Sequence, residues 1–173
     1  SPPDRFFKQL DAGQWHTCGM VPDSTLQCWG QNDKQQATAP EGAFLDFTSG
    51  SKHNCAIHQS GAVECWGDGE WGKATPPPST FIDISAGADH TCGVTTEGLA
   101  ECWGDDTFGQ VTAPEDTFSS ISAGEYHTCG ITTDGGILCW GKDNHDQAQP
   151  PAEGTFLSVH AGWSHTCAIR DTG

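Results

Sequence analysis

A chain of 173 residues with 23 acidic against 7 basic side chains carries a net charge of −16, which argues against a nucleic-acid partner and against an anionic membrane surface. Its 22 Gly, 9 Cys and 7 Trp beside one Met and one Tyr favour turns and short strands, and no window keeps a helical period. No apolar run reaches the roughly 20 residues that span a bilayer as a helix, and the opening SPPDRFF lacks the regions of a signal peptide.

The predicted elements recur. Each unit opens at a phenylalanine, Phe7, Phe44, Phe81, Phe118 or Phe156, which begins a strand such as Phe81-Ile82-Asp83-Ile84-Ser85 and leads to Ala-Gly or Ser-Gly. A second strand carries His-Thr-Cys or His-Asn-Cys from His16, His53, His90, His127 and His165, at spacings of 37, 37, 37 and 38. The extra residue falls near Pro150 and Pro151, where a loop absorbs it. A third strand carries Cys-Trp-Gly from Cys28, Cys65, Cys102 and Cys139, and a short fourth is expected at the Ala-Thr or Val-Thr before the prolines.

Nine residues separate the two cysteines of each unit, and their midpoint reads as a hairpin turn: Gln59-Ser60-Gly61, Thr96-Glu97-Gly98, Thr133-Asp134-Gly135. That turn sets Cys55 opposite Cys65, Ile57 opposite Val63, Met20 opposite Leu26, Val94 opposite Ala100 and Ile131 opposite Ile137. Facing cysteines at a non-hydrogen-bonded site can form a disulfide, which pairs Cys18 with Cys28, Cys55 with Cys65, Cys92 with Cys102 and Cys129 with Cys139. Each such loop contributes about 3 kcal/mol in the chain-entropy account. Reduced core cysteines and zinc sites are the alternatives, although zinc pairs favour roughly two to four intervening residues. Disulfides point to a secreted, extracellular protein. Cys167 is left unpaired, because its mate would fall four residues beyond Gly173.

The pattern F-x-x-I-S-A-G-x-x-H-T-C-G-I-x-x-D-G-x-x-x-C-W-G, followed by Gly109-Gln110, resembles the repeats of the regulator of chromosome condensation superfamily along the whole chain. The short, cysteine-paired repeats are more similar to β-lactamase inhibitor propellers and to the ectodomains of plant crinkly-type receptor kinases. The resemblance implies an all-β fold, a β-propeller of ~37-residue repeats with three to four short antiparallel strands per blade. Residues 1–173 then form a single propeller domain or a segment of four full repeats plus a partial fifth. Completion by a longer chain, completion by another copy or chain, and an incomplete five-bladed ring are all open. Exposed strand edges make a homo-oligomer one outcome. Members of the superfamily include exchange factors, inhibitors and receptor ectodomains, but the acidity and the cysteines here depart from the nuclear ones.

The recurrent histidines could form a metal-binding ring, yet recurrence in every unit suits a structural role, with each imidazole bonded to a neighbouring blade's backbone. Trp29, Trp66, Trp103 and Trp140 likewise read as blade packing rather than a carbohydrate platform. Specificity belongs where the units disagree: Gln14-Trp15, Ser51-Lys52, Ala88-Asp89, Glu125-Tyr126 and Trp163-Ser164. Trp15, Lys52, Asp89, Tyr126 and Trp163 are the ligand-binding candidates, since aromatics dominate contact surfaces. A second variable position, Lys34, Trp71, Phe108 and His145, reads as packing, and the acidic runs Asp68 to Glu70, Asp105-Asp106 and Asp143 to Asp146 as solvated loops rather than calcium sites. No nucleophile elbow, phosphate loop or zinc-protease motif occurs, so no catalytic residue, metal or cofactor is expected. The sequence predicts a secreted, non-enzymatic module that binds a protein or carbohydrate, with a structural assembly protein as the alternative.

Overall fold

The computed structural model describes residues 6–172; residues 1–5 of the opening segment and Gly173, the close of the expected fifth turn, lie outside the described residues. Four three-stranded antiparallel sheets follow one another: β1 (Gln9–Ala12), β2 (His16–Met20), β3 (Leu26–Gly30); β4 (Phe44–Ser49), β5 (His53–His58), β6 (Val63–Gly67); β7 (Phe81–Ala86), β8 (His90–Thr95), β9 (Ala100–Gly104); β10 (Phe118–Ala123), β11 (His127–Thr132), β12 (Ile137–Gly141). A fifth sheet pairs β13 (Phe156–Ala161) with β14 (Thr166–Arg170), and the only helix among the described residues is a 3-10 turn, Glu70–Gly72.

Each hairpin takes the register that its turn dictates, with Cys55 opposite Cys65, Asn54 opposite Trp66 and Ile57 opposite Val63. Disulfides join Cys18–Cys28, Cys55–Cys65, Cys92–Cys102 and Cys129–Cys139, whose Cα atoms lie 4.0 or 4.1 Å apart, the close spacing of a non-hydrogen-bonded pair. Cys167 is free and exposed on β14.

Two local expectations change. The strand from each phenylalanine is not regular: the register slips after Phe44, Phe81, Phe118 and Phe156, so that Leu45, Ile82 and Leu157 bulge outward into solvent. The bulge explains how Phe81 and Ile84, three residues apart and therefore on opposite faces of a regular strand, are both buried. The fourth strand does not form among the described residues. Its amides are consumed locally, Ala37 N–H and Val111 N–H donating to the side-chain oxygens of Asn32 (2.8 Å) and Asp106 (3.0 Å).

The core lies between blades rather than within them. Met20 and Leu26 pack on Phe44 and Phe47; Ile57 on Phe81, Ile84 and Trp103; Val94 on Phe118, Ile121 and Trp140; Ile131 and Ile137 on Phe156 and Val159. Each fully buried side chain of this size contributes roughly 1.5–3 kcal/mol. The indoles also reach back one blade, Trp66, Trp103 and Trp140 donating to the carbonyls of Gln36, Lys73 and Gln110.

Inner strands are stitched in the same direction. Asp11 Oδ2 accepts Ser49 N–H (2.7 Å), and the hydroxyls of Thr48, Ser85 and Ser122 accept the amides of Ala86, Ala123 and Ala161 (3.0, 2.9 and 2.9 Å). Four of the five recurrent histidines reach the next repeat's Thr or Asn side chain, not its backbone as the sequence suggested: His16 to Asn54 and His53 to Thr91 at 2.8 Å, His90 to Thr128 and His127 to Thr166 at 2.9 Å. The Asn54 oxygen can only accept, and the Thr128 and Thr166 hydroxyls spend their protons on the carbonyls of Gln110 and Gln147. The proton therefore sits on Nε2 of His16, His90 and His127. A Cβ on Gly50, Gly87 or Gly124 would collide with that repeat's own imidazole and with the carbonyl of the next glycine in the series, Gly87, Gly124 or Gly162. Only glycine allows the blades this close.

Burial, aided by the Lys73 ammonium, pushes the His53 pKa down to about 3; burial with the neighbouring His127 pushes His90 down to about 4; burial and His165 lower His127. The His53 and His90 rings stay neutral in the fold while the unfolded chain protonates near pH ~6.5, so their contribution is complete above that pH and is lost as pH falls from about 6.5 toward 4, and the lowered His127 acts in the same sense. Asp11 and Asp83, raised by burial, act in the opposite sense near the low end. The urea midpoint of the oxidised protein should be lower at pH 5 than at pH 7.5; an equal or higher midpoint at pH 5 contradicts this.

Candidate functional site

The last glycine of each Cys-Trp-Gly, Gly30, Gly67, Gly104 and Gly141, has φ of 109°, 100°, 113° and 99°, a left-handed turn that suits glycine. The turn aims the next amide backward, so Gln31, Asp68, Asp105 and Lys142 donate to the carbonyls of Trp15, Lys52, Asp89 and Tyr126 at 2.8–2.9 Å. The backbone of each variable position is thereby clamped, and its side chain remains available at one end of the blades.

At that end an open depression of about 560 Å³ lies over Gly13, Gly50, Gly87, Gly124 and Gly162. Lys52, Asp89, Tyr126 and Trp163 line it, whereas Trp15 does not, although it is the repeat equivalent of Lys52 and is 66% exposed. Two lining aromatics are open: Trp163, 68% exposed, and Trp71, 69% exposed. Trp71 corrects the sequence reading, which placed it with packing. Its repeat equivalent Phe108 does pack, 5.3 Å from the Tyr126 ring, with the Lys142 ammonium 5.0 Å and 4.8 Å from the two ring centres.

The second repeat breaks the pattern in two residues. Elsewhere the loop after Cys-Trp-Gly is braced twice. Asn32, Asp106 or Asp143 accepts an amide five residues on, and a buried glutamine, Gln36, Gln110 or Gln147, accepts the amide two residues before it at 2.8 Å. In the second repeat these positions are Gly69 and Lys73, and neither supplies a side-chain acceptor. The loop folds instead as the 3-10 turn, with Trp71 at φ 63° and its ring exposed. A bulky residue in the left-handed region is held there by its surroundings.

Lys73 closes the turn, its N–H donating to Glu70 O at 3.4 Å. Its side chain is 2% exposed, and its Nζ lies 2.6 Å from Asp89 Oδ1 and 3.0 Å from Asp68 Oδ2, joining two blades. Burial pulls the ammonium pKa down, but the hydrogen bonds to Asp89 and Asp68 outweigh it and the net shift is upward. Burial likewise pushes Asp68 up, and the Lys73 contact overrides it, leaving its carboxyl below the ordinary range. Lys34 extends the network to Asp68 and Glu70 at 3.6 and 3.7 Å. Sequence reasoning missed Lys73; the signal was a lysine where the other repeats place glutamine. Burial raises the pKa of Glu125, while the Lys142 charge and the neighbouring Tyr126 and Trp163 side chains lower it, with a net upward shift. Among the described residues no three His, Cys, Asp or Glu side chains converge as metal ligands.

The family model described as "Regulator of chromosome condensation (RCC1) repeat" matches residues 7–36, 81–110 and 118–147, and leaves out 44–73, the repeat that carries Gly69 and Lys73. No curated protein matches the chain. Among solved structures, the entire ectodomain of the receptor kinase CR4 from Physcomitrella patens is 30% identical with a TM-score of 0.87, over 99% of this chain and 51% of that one. The CRINKLY WD40 ectodomain of the Arabidopsis thaliana receptor kinase ACR4 is 29% identical with a TM-score of 0.77, over 96% and 60%. Prp20p from Saccharomyces cerevisiae, at 16% identity and a TM-score of 0.80 over 95% and 55%, shares the fold. The chain thus spans between 51% and 60% of the length of these structures.

Replacing Lys73 by Met should destabilise the fold by about 2 kcal/mol in denaturant unfolding, because Asp68 and Asp89 lose the ammonium that joins them and Asp68 keeps only the more distant Lys34. Lys34→Met, at the exposed end of the same network, should cost less than about 1 kcal/mol.

Proposed function

This chain belongs to the regulator of chromosome condensation (RCC1) repeat family, and from that premise we propose that it is a non-enzymatic, extracellular interaction module which holds a protein partner at the axial depression. The observation that carries the reading is where the repeat symmetry fails. Residues common to all blades are consumed in joining them, whereas Trp71 and Trp163 are large, exposed and gathered at one depression with Tyr126. Aromatic side chains that lose water on contact supply most of the energy of protein interfaces. Lys52 and Asp89 then add polar contacts at the rim, and Trp15 extends the same face beyond the depression.

Extracellular placement draws support from the four disulfides and from the likeness to two receptor kinase ectodomains. A second reading, assembly through the terminal blades, draws on Leu10 and Ile169, both 60% exposed, where their repeat equivalents such as Ile84 and Val94 are buried. These faces accept a further blade, whichever chain supplies it.

Panning the oxidised protein against a displayed library of peptides tests the first reading. Selected binders should lose roughly thirtyfold in affinity on Trp71→Ala or Trp163→Ala, the cost of a hot-spot aromatic. Binders indifferent to both substitutions and to Tyr126→Ala would place the contact elsewhere, and binding of glycans alone would change the ligand class.

A further inference from the structure

We propose that the depression takes a basic side chain, lysine or arginine, of the partner, seated on the open ring of Trp163 and against the Glu125 carboxylate; this rests on the protein-binding reading above. The argument begins with which charges are already satisfied. Of the four carboxylates lining the depression, Asp68 and Asp89 are bound to Lys73, and Glu70 to Lys34. Glu125 takes no ion pair within 4.0 Å among the described residues. Its backbone ties it to the fifth blade, the Glu125 N–H donating to Gly162 O at 3.2 Å, and Glu125, Tyr126 and Trp163 line the depression together.

The two rings differ in what they have left to offer. Tyr126 already carries the Lys142 ammonium 4.8 Å from its centroid, so this blade junction uses cation–π contact for its own cohesion. Trp163 has no ring or cation partner among the described residues and is 68% exposed. Indole is the strongest aromatic host for a cation, and a carboxylate beside it supplies the counter-charge. Besides Lys73, which Asp68 and Asp89 neutralise, two cations oppose an incoming one, Lys52 in the lining and Lys142 over the Tyr126 ring, which leaves the incoming cation the open Trp163 ring and the Glu125 carboxylate. At longer range the net charge of −16 draws basic partners toward the chain and repels acidic ones.

The test is an NMR titration of the oxidised protein with N-acetyl-arginine amide and N-acetyl-lysine amide, with N-acetyl-glutamine amide as the neutral comparison. The indole N–H resonance of Trp163 should move saturably with both cations and not with the neutral amide. Glu125→Gln should weaken the cation affinity by about tenfold, while Glu115→Gln, an exposed carboxylate outside the depression, should leave it unchanged. Absence of saturable shifts at Trp163, or equal weakening by the two substitutions, overturns the proposal. Peptide panning reports separately on protein binding: selected peptides that need Trp71 and Trp163 but lack basic residues would leave that reading standing and remove this one.

Discussion

One hydrogen bond, repeated at every junction, ties this sequence to its shape: an imidazole Nε2 reaching the Thr or Asn side chain of the next repeat. The partner is 38 residues ahead at the first three junctions and 39 at the fourth. At the first three junctions the pair is buried, so removing the Thr or Asn leaves the imidazole Nε2 without a partner, which costs about 1–3 kcal/mol. The contact also needs a glycine on the inner strand, because the imidazole lies where any Cβ would go. His-Thr-Cys and Ala-Gly recur together because they are two halves of one junction.

A lattice made of identical junctions has little freedom left for recognition. The histidine Nε2 atoms, the indole N–H groups of Trp66, Trp103 and Trp140 and the inner-strand hydroxyls are spent on an adjacent blade. In such an array each repeat answers mainly to its neighbours, so local departures are tolerated where a blade's end meets solvent. The second repeat departs furthest. Without an acceptor at Gly69 or a glutamine at Lys73, its loop gives up the brace that the other repeats keep, and a buried ammonium shared by Asp68 and Asp89 replaces it. The result turns Trp71 outward beside the depression.

Much of this was legible in the sequence because hairpin arithmetic is rigid. Nine residues between cysteines with a glycine-terminated turn leave one register, and the strand pairing with the four disulfides follows. What escaped involves contacts that spacing does not encode. The bulge after each phenylalanine changes strand parity, visible in retrospect in the three-residue step from Phe81 to Ile84. Histidine recurrence pointed to a structural role but not to its partner, which lies in the next repeat. Of the variable residues, spacing found Tyr126 and Trp163 but could not separate Trp15, outside the depression, from Lys52, inside it. Trp71 was misplaced because its backbone alone takes a left-handed turn at this position of the repeat, which spacing does not encode.

The junction is open to direct observation. Nitrogen-15 NMR of the imidazoles in the oxidised protein reports both tautomer and charge at each ring. The account predicts a neutral, Nε2-protonated ring at His90 at pH 5, with Nδ1 unprotonated. Imidazolium signals at pH 5, with titration near the free value of about 6.5, would contradict it.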